Sequence, residues 1–154
     1  MKRSLVVLLL LLLPACGTNV AFKQDHRVSI VYPRNRQKVT LPMTVRWTVK
    51  NFDGTFGVLL DRAPQPPGEP LTWFARNDKS CKRVSSCPDA AYLARHNVFA
   101  VTDTEFPVPV VHGPPSNFKG KDIHEVNIVL LDRQGRRIGD TAFNVEFEVP
   151  RHHI

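Results

Sequence analysis

The sequence predicts an all-β protein: an antiparallel β-sandwich of about seven strands with one short helix. Residues 43–50 alternate apolar Met43, Val45, Trp47 and Val49 with polar Thr44, Arg46, Thr48 and Lys50. Residues 142–149 repeat the pattern, with Phe143, Val145, Phe147 and Val149 against Asn144, Glu146 and Glu148. A period of two puts one set of side chains on a buried face and the other in solvent. Short β-rich runs are punctuated by turn residues, among them 13 prolines and 8 glycines, as in sandwiches rather than alternating α/β folds.

The chain begins Met1-Lys2-Arg3, and an apolar run of Leu and Val spans residues 5–13. A bilayer core needs about 20 apolar residues in a helix, so this run is too short to span one. A basic start, a short apolar run and a small residue at Ala15 instead describe a secretion signal over residues 1–15. Leu13-Pro14-Ala15-Cys16 resembles the lipobox of bacterial lipoproteins, with Pro14 departing from the usual small or apolar residue. The resemblance implies a diacylglyceryl group on the Cys16 thiol, cleavage before it, and acylation of the new amino terminus by a fatty acid such as palmitate. Gly17 follows Cys16 where Asp would imply inner-membrane retention, so in a Gram-negative envelope the resemblance implies the outer membrane.

Removing the leader leaves 139 of the 154 residues, enough for one domain with a core. Two of the 21 Lys and Arg residues lie in the leader, leaving 19 against 14 acids, a formal charge of +5. The cations cluster in loops, where they suit anionic lipid headgroups or envelope glycans, or simply a solvated surface. No basic helix with interleaved aromatics appears, and nucleic acid is not an expected partner. With Cys16 assigned to lipid, Cys81 and Cys87 remain, and an oxidising compartment makes a disulfide between them the default.

Residues 16–26 read as a lipidated tether and 27–150 as the domain, followed by a tail at 151–154. Val28–Tyr32 is a strand stopped by Pro33, and residues 39–41 are a brief extended piece before Pro42. Strands follow at 43–50 and 56–61, then a proline-rich stretch at 63–70 and a further strand at Leu71–Ala75 carrying Trp73 and Phe74. Residues 88–95 form the one helical candidate, with Pro88 suiting a first turn and Asp89 the positive helix end. Residues 98–101 and 106–111 return to extended structure, the latter weakened by Pro107 and Pro109. A loop at 112–121 precedes a hairpin, whose strands at 125–131 and 142–149 flank a Gly-containing turn.

This order of strands resembles immunoglobulin-like and fibronectin-like modules of bacterial surface proteins. The antibody-type inter-sheet disulfide is absent, because Cys81 and Cys87 are too close in sequence to bridge two sheets.

No nucleophile elbow, His-Glu-x-x-His pair or phosphate loop is present, and a non-catalytic protein without a cofactor is expected. His112 and His124 bracket one loop and would approach each other if 106–111 paired with 125–131; with His96 they are weak candidates for a metal. Leu-Leu-Asp-Arg occurs at 59–62 and 130–133. Its aspartates would lie at opposite poles of neighbouring antiparallel strands, each initiating a turn rather than sharing calcium. Trp73, Phe74 and Arg76 form the preferred contact surface, with one aromatic in the core and the other exposed, or with both buried beneath the long loops. The leading expectation is a membrane-anchored accessory module that binds an envelope protein. The alternatives are a glycan-binding lipoprotein and a small metal-binding one.

Overall fold

The computed structural model describes residues 25–108, 116–118 and 121–150. The signal at 1–15, Cys16, most of the tether, His112 and the tail at 151–154 lie outside the described residues.

Strands β1 (Val28–Tyr32), β3 (Met43–Val49) and β6 (Glu105–Val108) form one sheet in the order β1-β3-β6. The second sheet runs β2 (Gln37–Lys38), β9 (Phe143–Val149), β8 (Lys121–Leu131), β4 (Thr55–Leu60), β5 (Val98–Val101), with β7 (Ser116–Phe118) paired to the start of β8. The pairs are antiparallel except β2 with β9, which is parallel. The architecture is an all-β sandwich, and placing β1, β3 and β6 opposite β4, β8 and β9 follows the immunoglobulin-like distribution of strands.

The inter-sheet core is built by the predicted alternation. Met43, Val45 and Trp47 are buried while Arg46 and Thr48 are exposed, and Val145 and Phe147 are buried beside exposed Asn144. Trp47 meets Phe56 edge to face at 5.4 Å, joining the two sheets through aromatic contact.

Residues 56–60 break the alternation, since all five are buried. Phe56, Val58 and Leu60 point into the inter-sheet core, whereas Leu59 packs on the opposite face with Leu71, Val98, Val129 and Leu131. The same split explains the apolar run at 125–131: Val126, Ile128 and Leu130 face inward, and Val129 and Leu131 face the second cluster. A strand covered on both sides loses its period of two.

Several elements differ from their expectations. Leu71–Ala75 is a 3-10 turn, not a strand. Strand β4 already has β8 on one edge and β5 on the other, and Leu71 is buried instead by lying across the outer face of the sheet with Leu59, Val98, Val129 and Leu131. The short strand expected at 39–41 falls at Gln37–Lys38, with Val39 N–H still donating to the Glu148 carbonyl before the ladder ends. The loop expected at 112–121 contains β7, and β8 begins at Lys121 rather than near 125. Strand β6 pairs with β3 in the other sheet, so 106–108 do not lie beside 125–131. The helix forms as α1 (Ala90–Arg95), with Asp89 capping it through the Tyr92 N–H at 2.7 Å. The hairpin of β8 and β9 pairs from Asp122 with Val149 to Ile128 with Phe143.

Gly57 sits where the second cluster meets the sheet. A Cβ there would approach Val129 Cγ2 to 2.8 Å and Leu71 Cδ2 to 3.2 Å. Val129 is β-branched and stiff, so Gly57→Ala is expected to cost about 1–3 kcal/mol by overpacking. Denaturant titration reads this directly, and an unchanged midpoint would show that the two surfaces are not in close contact.

Candidate functional site

Residues 61–97, between β4 and β5, form an insertion laid over the outer face of the larger sheet. Its root is fixed by backbone pairing: Gly68 N–H donates to the Arg137 carbonyl, and Arg137 N–H donates to the Glu69 carbonyl. The buried Arg137 guanidinium donates in addition to the carbonyls of Gln65 and Asp140. Burial pushes its pKa down, against the pull of nearby Asp140. The proline-rich stretch is therefore an ordered strap. Its Leu71 enters the second cluster, supported by half-buried Phe74 and Leu93.

Beyond the strap, the insertion has a small core of its own, made by Ala75, Cys81 and Tyr92 with Cys87 and Leu93 packed against it. Cys81 and Cys87 form a disulfide. Asp78 organises the segment: its carboxylate accepts from Ser80 Oγ, from the N–H groups of Ser80 and Cys81, and from Tyr92 Oη at 2.8 Å. The Ser80 hydroxyl, the Cys81 N–H and the Tyr92 hydroxyl hold the Asp78 carboxyl well below the usual carboxylate range. Burial, then Asp78 itself, pushes the Tyr92 phenol up. His96 stacks on Tyr92 with ring centroids 4.3 Å apart. These groups border an open cleft of about 390 Å³, with Ser86, Asp89 and Arg95 on its rim.

Trp73, Phe74 and Arg76 come together on the same insertion, although not on opposite faces of a strand. Both aromatics are half-buried and meet edge to face at 5.3 Å. Each carries a guanidinium: Arg76 lies 3.7 Å from the Trp73 ring centroid, and Arg62 lies 4.6 Å from that of Phe74. Arg62 also donates to the His96 carbonyl. The patch thus has no freely exposed aromatic ring, because the 3-10 turn lays both side chains along the surface rather than projecting one outward.

The histidines named from sequence serve separate places. His96 belongs to the insertion, with its Nδ1 3.0 Å from the Tyr92 carbonyl. His124 belongs to β8, and its Nδ1 lies 2.7 Å from Asp61 Oδ2, with both side chains largely buried. Asp61 also accepts the Glu125 N–H, and its own N–H donates to the Glu125 carbonyl. The pair closes one end of the sandwich, where His124 packs against Phe147. Sequence reasoning placed Asp61 in a turn and did not connect it with His124, 63 positions away. Asp132 lies at the far end of the same strands and caps its own turn through the N–H groups of Gln134 and Arg136. Among the described residues, no group of three or more His, Cys, Asp or Glu side chains is placed to hold a metal ion.

The fold and this face define a β-sandwich with an elaborated, disulfide-closed connection between its fourth and fifth strands. Comparison with protein families, with curated sequences and with solved structures finds no match to the chain.

Asp61→Ala would strand the Glu125 N–H and the His124 ring nitrogen in a mostly buried setting, at an expected cost of about 1–3 kcal/mol. Chemical denaturation measures it, and a loss below a few tenths would show that solvent already satisfies these groups. Asp78 makes a pH-dependent contribution. Its folded pKa is depressed, so its stabilisation is complete above the usual carboxyl value of 3.8 and is lost as pH falls toward the folded value. Asp78→Asn is expected to melt below the wild type at neutral pH, with the gap closing under strong acid. A gap independent of pH would assign the effect to shape rather than charge.

Proposed function

We propose that this chain is a lipid-anchored, non-catalytic protein of the bacterial cell envelope, and that its insertion-bearing face docks a protein partner as part of a larger assembly. The anchor rests on the lipobox residues Leu13, Ala15 and Cys16 behind a basic start and a short apolar run. Gly17 favours the outer membrane in a Gram-negative cell. One observation carries the docking reading: residues 61–97 build a second, disulfide-closed layer on the outside of the sheet and frame an open cleft. A preorganised surface loses little conformational freedom on binding.

The chemistry of the cleft supports recognition over catalysis. The Asp78 carboxylate is taken up by four donors, Asp89 caps α1, and both cysteines are oxidised. What faces outward is Arg95, Ser86 and the edge of His96, which suit polar contacts at an interface rim. The glycan alternative is weaker, because Trp73 is half-buried and Arg76 already lies over its ring, 3.7 Å from the centroid.

Affinity capture of the full chain after mild membrane solubilisation should recover one defined protein, and Arg95→Glu at equal expression should lose it. Capture that survives the reversal would move the interface elsewhere, and no capture across growth conditions would remove the partner reading. Cys16→Ser should shift the chain from the membrane to the soluble fraction under a high-salt wash, which screens any contact made by surface cations; membrane association that survives the wash would remove the anchor.

A further inference from the structure

We propose that the disulfide-closed loop of residues 79–87 is a membrane-contact tip that rests on anionic phospholipid headgroups. This rests on the reading that the chain is anchored at Cys16; because Val84 and Ser86 of the loop also line the cleft, the membrane contact borders the docking surface. Lys79, Lys82 and Arg83 are all exposed, and none forms an ion pair among the described residues. Beside them Val84 is 53% exposed, one of two large apolar side chains so exposed among the described residues. Three cations around a single aliphatic side chain form a tip suited to a flat anionic layer. The ammonium and guanidinium groups meet phosphates while the isopropyl group reaches the carbonyl level.

The loop is built to hold that shape. Lys82 N–H donates to the Asp78 carbonyl, Arg83 N–H to Ser80, Val84 N–H to Cys81 and Cys87 N–H to Val84, and the disulfide closes the ring. Nearby acids do not neutralise it. From residue 71 to 100 the acids are Asp78 and Asp89, against Arg76, Lys79, Lys82, Arg83 and Arg95. Asp78 is engaged by Ser80, Cys81 and Tyr92, and Asp89 accepts the Tyr92 N–H in capping α1. The outward charge is therefore positive. Residues 17–24 between anchor and domain can extend to at most about 28 Å, which keeps the domain within reach of the headgroup layer.

The test uses the lipidated full chain in vesicles of phosphatidylcholine alone or with added phosphatidylglycerol. An amine-reactive acylating reagent is read by mass spectrometry at Lys79 and Lys82, with exposed Lys38 and Lys50 as internal controls. The expected result is several-fold protection of Lys79 and Lys82 only in the anionic vesicles, relieved by high salt. Unlipidated Cys16→Ser protein should bind anionic vesicles about a hundredfold more weakly when it also carries Lys79→Ser, Lys82→Ser and Arg83→Ser. Equal acylation in both vesicle types, with the protein floating alongside them, would overturn the proposal. Failure of the lipidated chain to float would instead fail the anchor reading. Intact melting behaviour of the triple variant separates lost contact from lost fold.

Discussion

Strands β4 and β8 lie inside the larger sheet with apolar side chains on both faces, and each face needs a cover that excludes water. The three-stranded sheet covers one through Trp47, Val45 and Phe106; the insertion covers the other through Leu71, Phe74 and Leu93. Leaving either face open would expose several fully buried side chains, each worth about 1.5–3 kcal/mol. The insertion is thereby tied to the stability of the sandwich, and its root must be firm. Arg137 and the backbone pairing at Gly68 and Glu69 supply that firmness. Gly57 provides the space in which strap and sheet can touch.

Much of this was legible in the residues. The alternation at 43–49 and 143–149 gave strands with one buried face, and the apolar residues at 56–60 and the near-continuous run at 125–131 gave strands without saying that both of their faces are buried. What the runs did not reveal was the cover. Leu71–Ala75 has the β-rich composition of a strand, but its apolar side chains cover the outer face of the sheet from a 3-10 turn, a role set by tertiary contact rather than composition. Strand β7 was hidden for a related reason: its pairing with β8 is set by the partner, not by its own polar composition. The Asp61–His124 pair joins residues far apart in sequence, and no local pattern announces such a contact. Asp132, whose partners lie within four residues, was readable as a turn residue from sequence alone.

On the insertion, polar groups divide by direction. Between residues 71 and 97, Asp78 and the exposed Asp89 accept hydrogen bonds from neighbouring donors, so both acids are consumed in shaping the segment. Most of the cations remain at the surface, while Arg62 and Arg76 lie on aromatic rings. A stretch with mixed charge in sequence therefore presents a mainly positive exterior. This difference between composition and surface follows from geometry: a short carboxylate reaches its own turn, whereas a long lysine or arginine stem carries its charge away.

The two cores on either side of the larger sheet meet only through the backbone of that sheet. Side chains on the inner face answer to the opposing sheet, and those on the outer face answer to the strap. Residues 79–87, closed by the disulfide, add no side chain to the cluster on the sheet, which takes Leu71, Phe74 and Leu93 from the insertion. Substitutions there can accumulate without disturbing the arrangement of the sandwich, so a lineage could remodel this outer segment rapidly while the scaffold beneath it changes slowly.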